Sequence, residues 1–369
     1  MPFAIYIHWP FCKSKCPYCD FNSHVAESID HARWSASYLR ELDYWAEKTQ
    51  GRIVTSIFFG GGTPSLMVPE TVANIIAHIQ TRWRISNDCE ITLEANPTSI
   101  EQEKFQAFRG AGVNRVSIGV QALNADDLTF LGREHNPAQA LTAIELAAKT
   151  FDRFSFDLIY ARPHQTVAGW SAELREALQF TGGHISLYQL TIEQGTPFFT
   201  RHARGEFKIP EQDAAADLYD MTQDIMTDAG LPAYEVSNHA RAGEESRHNL
   251  AYWQYDDYVG VGPGAHGRVT IGADKFATRT HRAPNLWLER VEKDGHALHP
   301  QEILSEAAQL QERVMMGLRL RSGIPIKMLP PHFLQSERLK FMVSEGFIME
   351  PKEDLRATAQ GFKCLNAVL

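Results

Sequence analysis

The chain has 369 residues, 44% of them hydrophobic and 22% charged, with 36 Lys plus Arg against 45 Asp plus Glu and a formal net charge of −9. At about 150 residues per domain this is a globular protein of two domains, or of one large domain with an appendage, and the composition excludes a disordered, collagenous or coiled-coil chain. The acidic balance argues against non-specific nucleic-acid or anionic-membrane binding, no apolar run reaches the roughly 18 residues of a spanning helix, and the opening lacks the basic and apolar regions of a signal peptide.

In chain order, short apolar or β-branched runs predict strands over 3–7, 53–59, 90–94, 115–120, 155–159 and 184–190. The amphipathic stretches between them predict helices over 28–48, 69–80, 100–108, 137–148 and 168–180. The first has Ser28 as a capping residue and apolar spacing at Trp34, Tyr38, Leu42 and Trp45. Six alternations of this kind predict parallel strands with crossover helices, and we read them as an α/β fold with a partial (β/α)6 barrel of the TIM type. Beyond residue 195 the rhythm loosens. A helix over 211–229 closes at Gly230, and a Gly-, Tyr- and Trp-rich segment covers 234–267. Residues 305–369 read as helix, turn, helix, short strand and helix, a small α+β winged-helix-like module. The resulting plan is a barrel core over 1–235, a linking segment over 236–298 and a C-terminal domain over 299–369.

Three of the five cysteines, Cys12, Cys16 and Cys19, fall within eight residues directly after the first predicted strand, spaced C-x3-C-x2-C. An odd, clustered count fits a metal site in a reducing compartment better than a disulfide framework. Thiolates are soft ligands suited to iron–sulfur clusters or zinc. In a 4Fe–4S cluster three thiolates leave one iron open to a small molecule. In a zinc site His8 or His24 would be the fourth ligand. Cys89 and Cys364 are isolated and read as small buried hydrophobes.

Polar residues gather at the C-terminal ends of successive predicted strands. They are Gly60–Thr63 after the second, Glu94 and Asn96 at the third, Gly119 and Gln121 at the fourth with Arg133 beyond it, Asp157 in the fifth, and Tyr188 and Gln189 in the sixth. Singly, each reads as a satisfied core group. Repeated in one topological position, they mark the end of a barrel where ligands bind.

The cysteine spacing followed by these strand ends resembles the radical S-adenosylmethionine (SAM) superfamily. The resemblance implies a 4Fe–4S cluster on Cys12, Cys16 and Cys19, with SAM an exchangeable ligand of the open iron that is cleaved by an electron from the reduced cluster. It implies SAM contacts from Tyr6, from Tyr18 against the adenine, from the backbone of Gly61, Gly62 and Thr63, from Glu94 to the ribose, and from Gln121, Arg133, Asp157 and Gln189.

Over residues 4–368 the motifs YIHWPFCKSKCPYCDF, GGGTPS, EANP, VSIGVQ, LGREH and DLIY resemble the coproporphyrinogen-type branch of that superfamily. This branch holds an oxygen-independent coproporphyrinogen III oxidase and a family of haem chaperones. Three features place the chain with the chaperones. Phe21 stands where the oxidase has a fourth cysteine. The first strand starts too early to leave room for the oxidase's N-terminal arm. The run His248-Asn249-Leu250-Ala251-Tyr252-Trp253 matches the H-N-x-x-Y-W pattern of haem-binding members. The resemblance implies haem contact by His248, Asn249, Tyr252 and Trp253. A neutral imidazole suits haem iron and the two rings suit a porphyrin face, with His8, His239 and His266 as competing ligands. The expected partners are an acceptor haem protein, a membrane-bound respiratory subunit among the candidates, and a reductant for the cluster, without nucleic acid. The expected location is cytoplasmic, with a peripheral position at the membrane and a homodimer left open. Radical decarboxylation of coproporphyrinogen propionates is the second reading, and a zinc-stabilised binding scaffold is the third. One departure stands out. The family usually reads G-L-P after Tyr160, and this chain has Ala161-Arg162-Pro163, so a turn needing Gly at positive φ must differ.

Overall fold

The structure, a computed structural model, describes residues 2–98 and 102–369. The six predicted strands are β1 (Pro2–Trp9), β2 (Ile53–Gly61), β3 (Arg84–Ala95), β4 (Arg115–Gln121), β5 (Arg153–Tyr160) and β6 (His184–Gln189). They pair in chain order, all parallel. Five more strands extend this sheet: β7 (Asn238–Ala240), β8 (Asp257–Val261), β9 (His266–Ile271), β10 (Asp274–Arg279) and β11 (Glu302–Ile303). Among the described residues the sheet has 11 strands in the order β11-β10-β9-β8-β1-β2-β3-β4-β5-β6-β7. Its two edge strands do not meet, so the barrel is partial. β8 lies parallel to β1 on the side away from β2. The predicted linking segment therefore supplies a seventh parallel strand and the antiparallel strands β9 and β10, and the predicted C-terminal domain adds β11 at the edge.

The helices on the outer face are α1 (His31–Lys48), α2 (Pro69–Arg82), α3 (Phe105–Gly110), α4 (Ala125–Phe130), α5 (Pro137–Thr150) and α6 (Val167–Leu178). α1 starts three residues later than predicted because Asp30, and not Ser28, is its cap and accepts the Arg33 N–H at 3.0 Å. Its predicted apolar face is buried, with Trp34 stacked on Trp287 at 5.2 Å. The start of the predicted 100–108 helix lies partly outside the described residues. After β6 come α7 (Pro197–Ala203), α8 (Gln212–Asp228), α9 (Arg247–Trp253) and α10 (Pro284–Asp294). The C-terminal module opens with α11 (Glu306–Gly317) and has its own apolar cluster, including Leu318, Ile324, Leu339, Leu355 and Phe362. Ile324–Pro325 pairs antiparallel with Asp354–Leu355, the small sheet of the module. Charged contacts seat it on the barrel. Glu312 pairs with Arg268 at 2.7 Å and accepts from the Tyr255 hydroxyl at 2.7 Å, and Arg321 donates to the Tyr219 hydroxyl at 2.8 Å.

Candidate functional site

The loop after β1 carries the three cysteines. Two residues of it, Phe11–Cys12, pair in parallel with His24–Val25, which closes the loop on itself. A tight turn brings the Cys19 N–H to the Cys16 carbonyl at 3.1 Å. The loop sits at the C-terminal ends of the parallel strands, where barrels place their sites. β2 fixes it from one side, since the Gly62 and Thr63 amides donate to the carbonyls of Trp9 and Phe11 at 2.7 and 2.8 Å. This contact is close enough to demand glycine. A Cβ on Gly61 would stand 2.6 Å from the His8 ring, and one on Gly62 would stand 2.6 Å from the Phe11 carbonyl oxygen. The glycine run thus docks the cysteine loop, which leaves the Gly62 and Thr63 amides occupied within the protein.

A continuous hydrogen-bonded chain joins two of the cysteines. The Arg133 guanidinium donates to Cys16 Sγ at 3.3 Å, to Asn96 Oδ1 at 2.5 Å and to the Gly119 carbonyl at 2.8 Å. Asn96 donates to Thr63 Oγ1 at 3.2 Å, and Thr63 donates to Cys12 Sγ at 3.4 Å. Arg133 Nε is buried with no hydrogen-bond partner among the described residues. Such an arrangement suits sulfurs that carry negative charge and a polar ligand not otherwise supplied by the protein. Burial raises the Cys12 and Cys19 thiols, which disfavours their ionised forms in the metal-free protein.

The barrel wall beside the loop is acidic. Glu94 Oε2 accepts the Gly61 N–H at 3.3 Å. Burial, then the charge of Asp157, raises Glu94 to about 8. Burial likewise raises Asp157 to about 6, against a hydrogen bond from Ser117 at 3.4 Å. Gln121 ends β4 with φ of 73°, a left-handed conformation that a non-glycine residue holds only under constraint. Tyr18 packs its ring 6.2 Å from that of Phe198, on the apolar shelf of Leu131, Ile159 and Leu190. Gln189 is exposed at the mouth. Tyr6 lies deeper, its hydroxyl 3.1 Å from His8 Nδ1. The predicted SAM residues therefore converge on one end of the barrel from six strands.

The H-N-x-x-Y-W run lies elsewhere. It forms α9, which enters the concave side of the sheet against β1, β2 and β8. His248 is 1% exposed, with Nδ1 3.0 Å from Ser56 Oγ and Nε2 2.7 Å from the Tyr252 hydroxyl. Its ring stacks on Phe58 at 4.9 Å and on Tyr6 at 6.1 Å. Burial, then the charge of Arg115, lowers His248 to about 3, so the ring is neutral. Tyr252 continues inward to Tyr258 at 4.5 Å. Trp253 turns toward the C-terminal module, under Arg319 at 5.6 Å. Asn249 donates its backbone N–H to the Ser246 cap of α9. Of the competing histidines, His8 spends both ring nitrogens on Tyr6 and the Asn22 carbonyl, and His239 is buried. Sequence reasoning missed Glu90, whose carboxylate caps α9 through the Arg247 N–H at 3.0 Å and pairs with Arg153 at 2.6 Å. It also missed Asn22, which ties the cysteine loop to the Pro263 and Arg282 carbonyls at 2.9 and 3.0 Å. Neither has a motif, because each acts through partners over 60 residues away in sequence.

Among the described residues no three His, Cys, Asp or Glu side chains are gathered as around a single ion. Separate thiolates, each holding one iron, suit a cluster.

The radical SAM superfamily profile matches residues 6–177. The chain is 35% identical to Heme chaperone HemW of Haemophilus influenzae and 35% identical to Heme chaperone HemW of Escherichia coli, in each case over 100% of this chain and 97% of the relative. The chain belongs to the HemW family of radical SAM proteins. It is also 38% identical to a mitochondrial radical S-adenosyl methionine domain-containing protein 1 of Bos taurus, over 99% of this chain and 86% of the relative. Coproporphyrinogen III oxidase (HemN) of Escherichia coli, described as a radical SAM enzyme, superposes with a TM-score of 0.83 over 100% of this chain and 89% of that one. At 20% identity this shows the shared fold alone. Membership of the superfamily implies a 4Fe–4S cluster and SAM, and the cysteine loop with its acidic wall fits both.

Proposed function

We propose that this protein is a haem chaperone, which carries haem and delivers it to an acceptor haem protein. The observation that carries the reading is the full-length likeness to proteins named Heme chaperone HemW, over a site that keeps the three-cysteine loop and has Phe21 at the oxidase's fourth-cysteine position. Cys12, Cys16 and Cys19 would hold the cluster, and Glu94, Gln121, Asp157 and Gln189 would line the space for SAM. When bound, the pair supplies an electron and a reducible sulfonium. The chain's own residues do the positioning. Arg133 places a cation on Cys16 and fixes Asn96. Glu94, protonated at neutral pH in the free protein, accepts the Gly61 N–H and has a proton to offer a second ligand. His248 and Tyr252 stiffen the wall below the mouth, linking that wall to the loop through Tyr6 and His8. A reductant for the cluster and a membrane-bound respiratory subunit as acceptor belong to this reading.

The test is transfer. The cluster-reconstituted protein, loaded with haem, is mixed anaerobically with the haem-free form of a respiratory b-type subunit. Haem should appear in the subunit faster than from free haem at equal concentration. In parallel, coproporphyrinogen III with SAM and reductant should give no vinyl product. Vinyl product without transfer would establish the oxidase instead.

A further inference from the structure

A cavity of about 500 Å³ opens on the cysteine loop beside Cys19. It is bounded by loop residues from Lys15 to His24, by Gln194 and Gly195 after β6, and by Arg282 after β10. Its size is that of a site for a drug-sized or cofactor-sized molecule. Two features set it apart from an ordinary surface hollow. Neither Lys15 nor Arg282 has an ion-pair partner among the described residues, although Lys13, two residues away, pairs with Glu134 at 3.0 Å. Phe21 is 59% exposed at the rim and offers an aromatic surface to solvent.

Between them stands His24, half-buried and oriented. The Asn22 amide donates both its hydrogens, to Pro263 and Arg282 carbonyls, so its Oδ1 is turned to His24 Nε2 at 3.3 Å. The imidazole therefore donates from Nε2 and carries its lone pair on Nδ1. Burial, then the charges of Lys15 and Arg282, lowers its pKa, so it is neutral at pH 7 as a metal ligand must be. His248, in contrast, engages both ring nitrogens within the protein.

We propose that this cavity is the entry site for haem, with His24 the iron ligand, Lys15 and Arg282 the partners of the two propionates, and Phe21 a stacking surface for the macrocycle. Two cations, a flat apolar face and a free imidazole lone pair are the complement of a planar metalloporphyrin with two carboxylates. Asp20, exposed, is the one acidic residue of the lining and discourages a third anionic group. This inference rests on the chaperone reading and adds the place where the cargo first binds. It also puts the cargo next to Cys19, and gives Phe21 a purpose at a position where the oxidase carries cysteine.

The test is an anaerobic Soret titration of the full-length, cluster-reconstituted protein with haem. Wild type is compared with His24→Gln, with the exposed double variant Lys15→Glu/Arg282→Glu, and with His248→Ala, iron and sulfide content being checked in each. His24→Gln should change the position of the Soret band, and the charge reversals should weaken binding about tenfold with the band position kept. His248→Ala should keep the wild-type band. Wild-type bands and affinities in both cavity variants, at full cluster content, would overturn the proposal while leaving the chaperone reading intact. A charge-reversed protein that binds haem normally but is reduced slowly by flavodoxin would overturn it in favour of a reductant-docking surface. Absence of saturable binding in wild type would overturn the chaperone reading itself.

Discussion

At the scale of single residues, three thiols carry the affinity for iron, but a residue with no affinity for metal holds them in place. Arg133 reaches Cys16, Asn96 and the Gly119 carbonyl at once, which needs the planar fork of a guanidinium. Any of Cys12→Ala, Cys16→Ala or Cys19→Ala should abolish the cluster. Arg133→Ala should leave the cluster assembled but lost about tenfold faster to an iron chelator, as expected for a partner of metal ligands, and Arg133→Lys should restore little of this. Iron and acid-labile sulfide counts over time decide it, and wild-type retention in Arg133→Ala would refute the role. Glu94 gives a pH signature in the cluster-free protein. Its folded pKa, about 8, lies above the unfolded value, so the folded state binds more protons between about 4.5 and 8 and stability falls as pH rises through that window. The buried histidines act oppositely, His8 and His135 lowered to about 4 and losing their contribution as pH falls below 6.5. Buried Glu41, raised to about 7, adds a slope like that of Glu94 below that pH. Between pH 7 and 8 the Glu94 effect therefore stands out, at no more than about 1.4 kcal/mol per pH unit. Urea denaturation should show wild type losing stability there and Glu94→Gln nearly level. Equal slopes would contradict the assignment. The cysteines and strand-end carboxylates were legible because their chemistry is unusual for a loop and a strand. The Asn96 and Thr63 links were not, since amides and hydroxyls occur everywhere.

At the scale of elements, the instructive piece is α9. Its seven residues are too short to form alone, and Ser246 and Glu90 cap its first turn. Glu90 also neutralises Arg153 at 2.6 Å and lies 3.8 Å from buried Arg115. Glu90→Ala should thus cost roughly 3 kcal/mol, because it strands buried cations as well as uncapping the helix. A loss below about 1 kcal/mol in urea unfolding would show that other groups suffice. The turn after β5 answers the question raised by its sequence. Ala161 keeps φ at 57°, the left-handed conformation that glycine would favour, so the turn is retained under strain. Arg162 is buried in place of an apolar residue, paired with Glu173 and with Asp127 at 3.2 Å. Ala161→Gly should stabilise the protein by about 0.5–1 kcal/mol, the strain relieved less the added freedom of the unfolded chain. A lower melting temperature would contradict that. The βα rhythm was readable because both periods are strong over 3–190. β8 was hidden in a Gly- and Tyr-rich stretch with no clear apolar alternation, and α9 was too short to show a period.

At the scale of the whole molecule, the concave side of the large sheet holds two chemistries at two depths. The cysteine loop and acidic wall occupy the mouth, and α9 fills the space beneath. Tyr6 spans them, stacked on His248 at one end and bonded to His8 at the other. His8 in turn reaches the Asn22 carbonyl in the loop at 2.9 Å, so packed groups join the loop to the wall around α9. The C-terminal module braces the same region through Glu312 and Arg319. Among the described residues no helix is long and apolar enough to cross a membrane. Anaerobic haem titration of the cluster-reconstituted wild type decides whether the protein binds haem as cargo. A protein that carries haem should show a Soret shift that saturates at about one haem per chain. A signal that rises without saturation, like that of free haem, would contradict it.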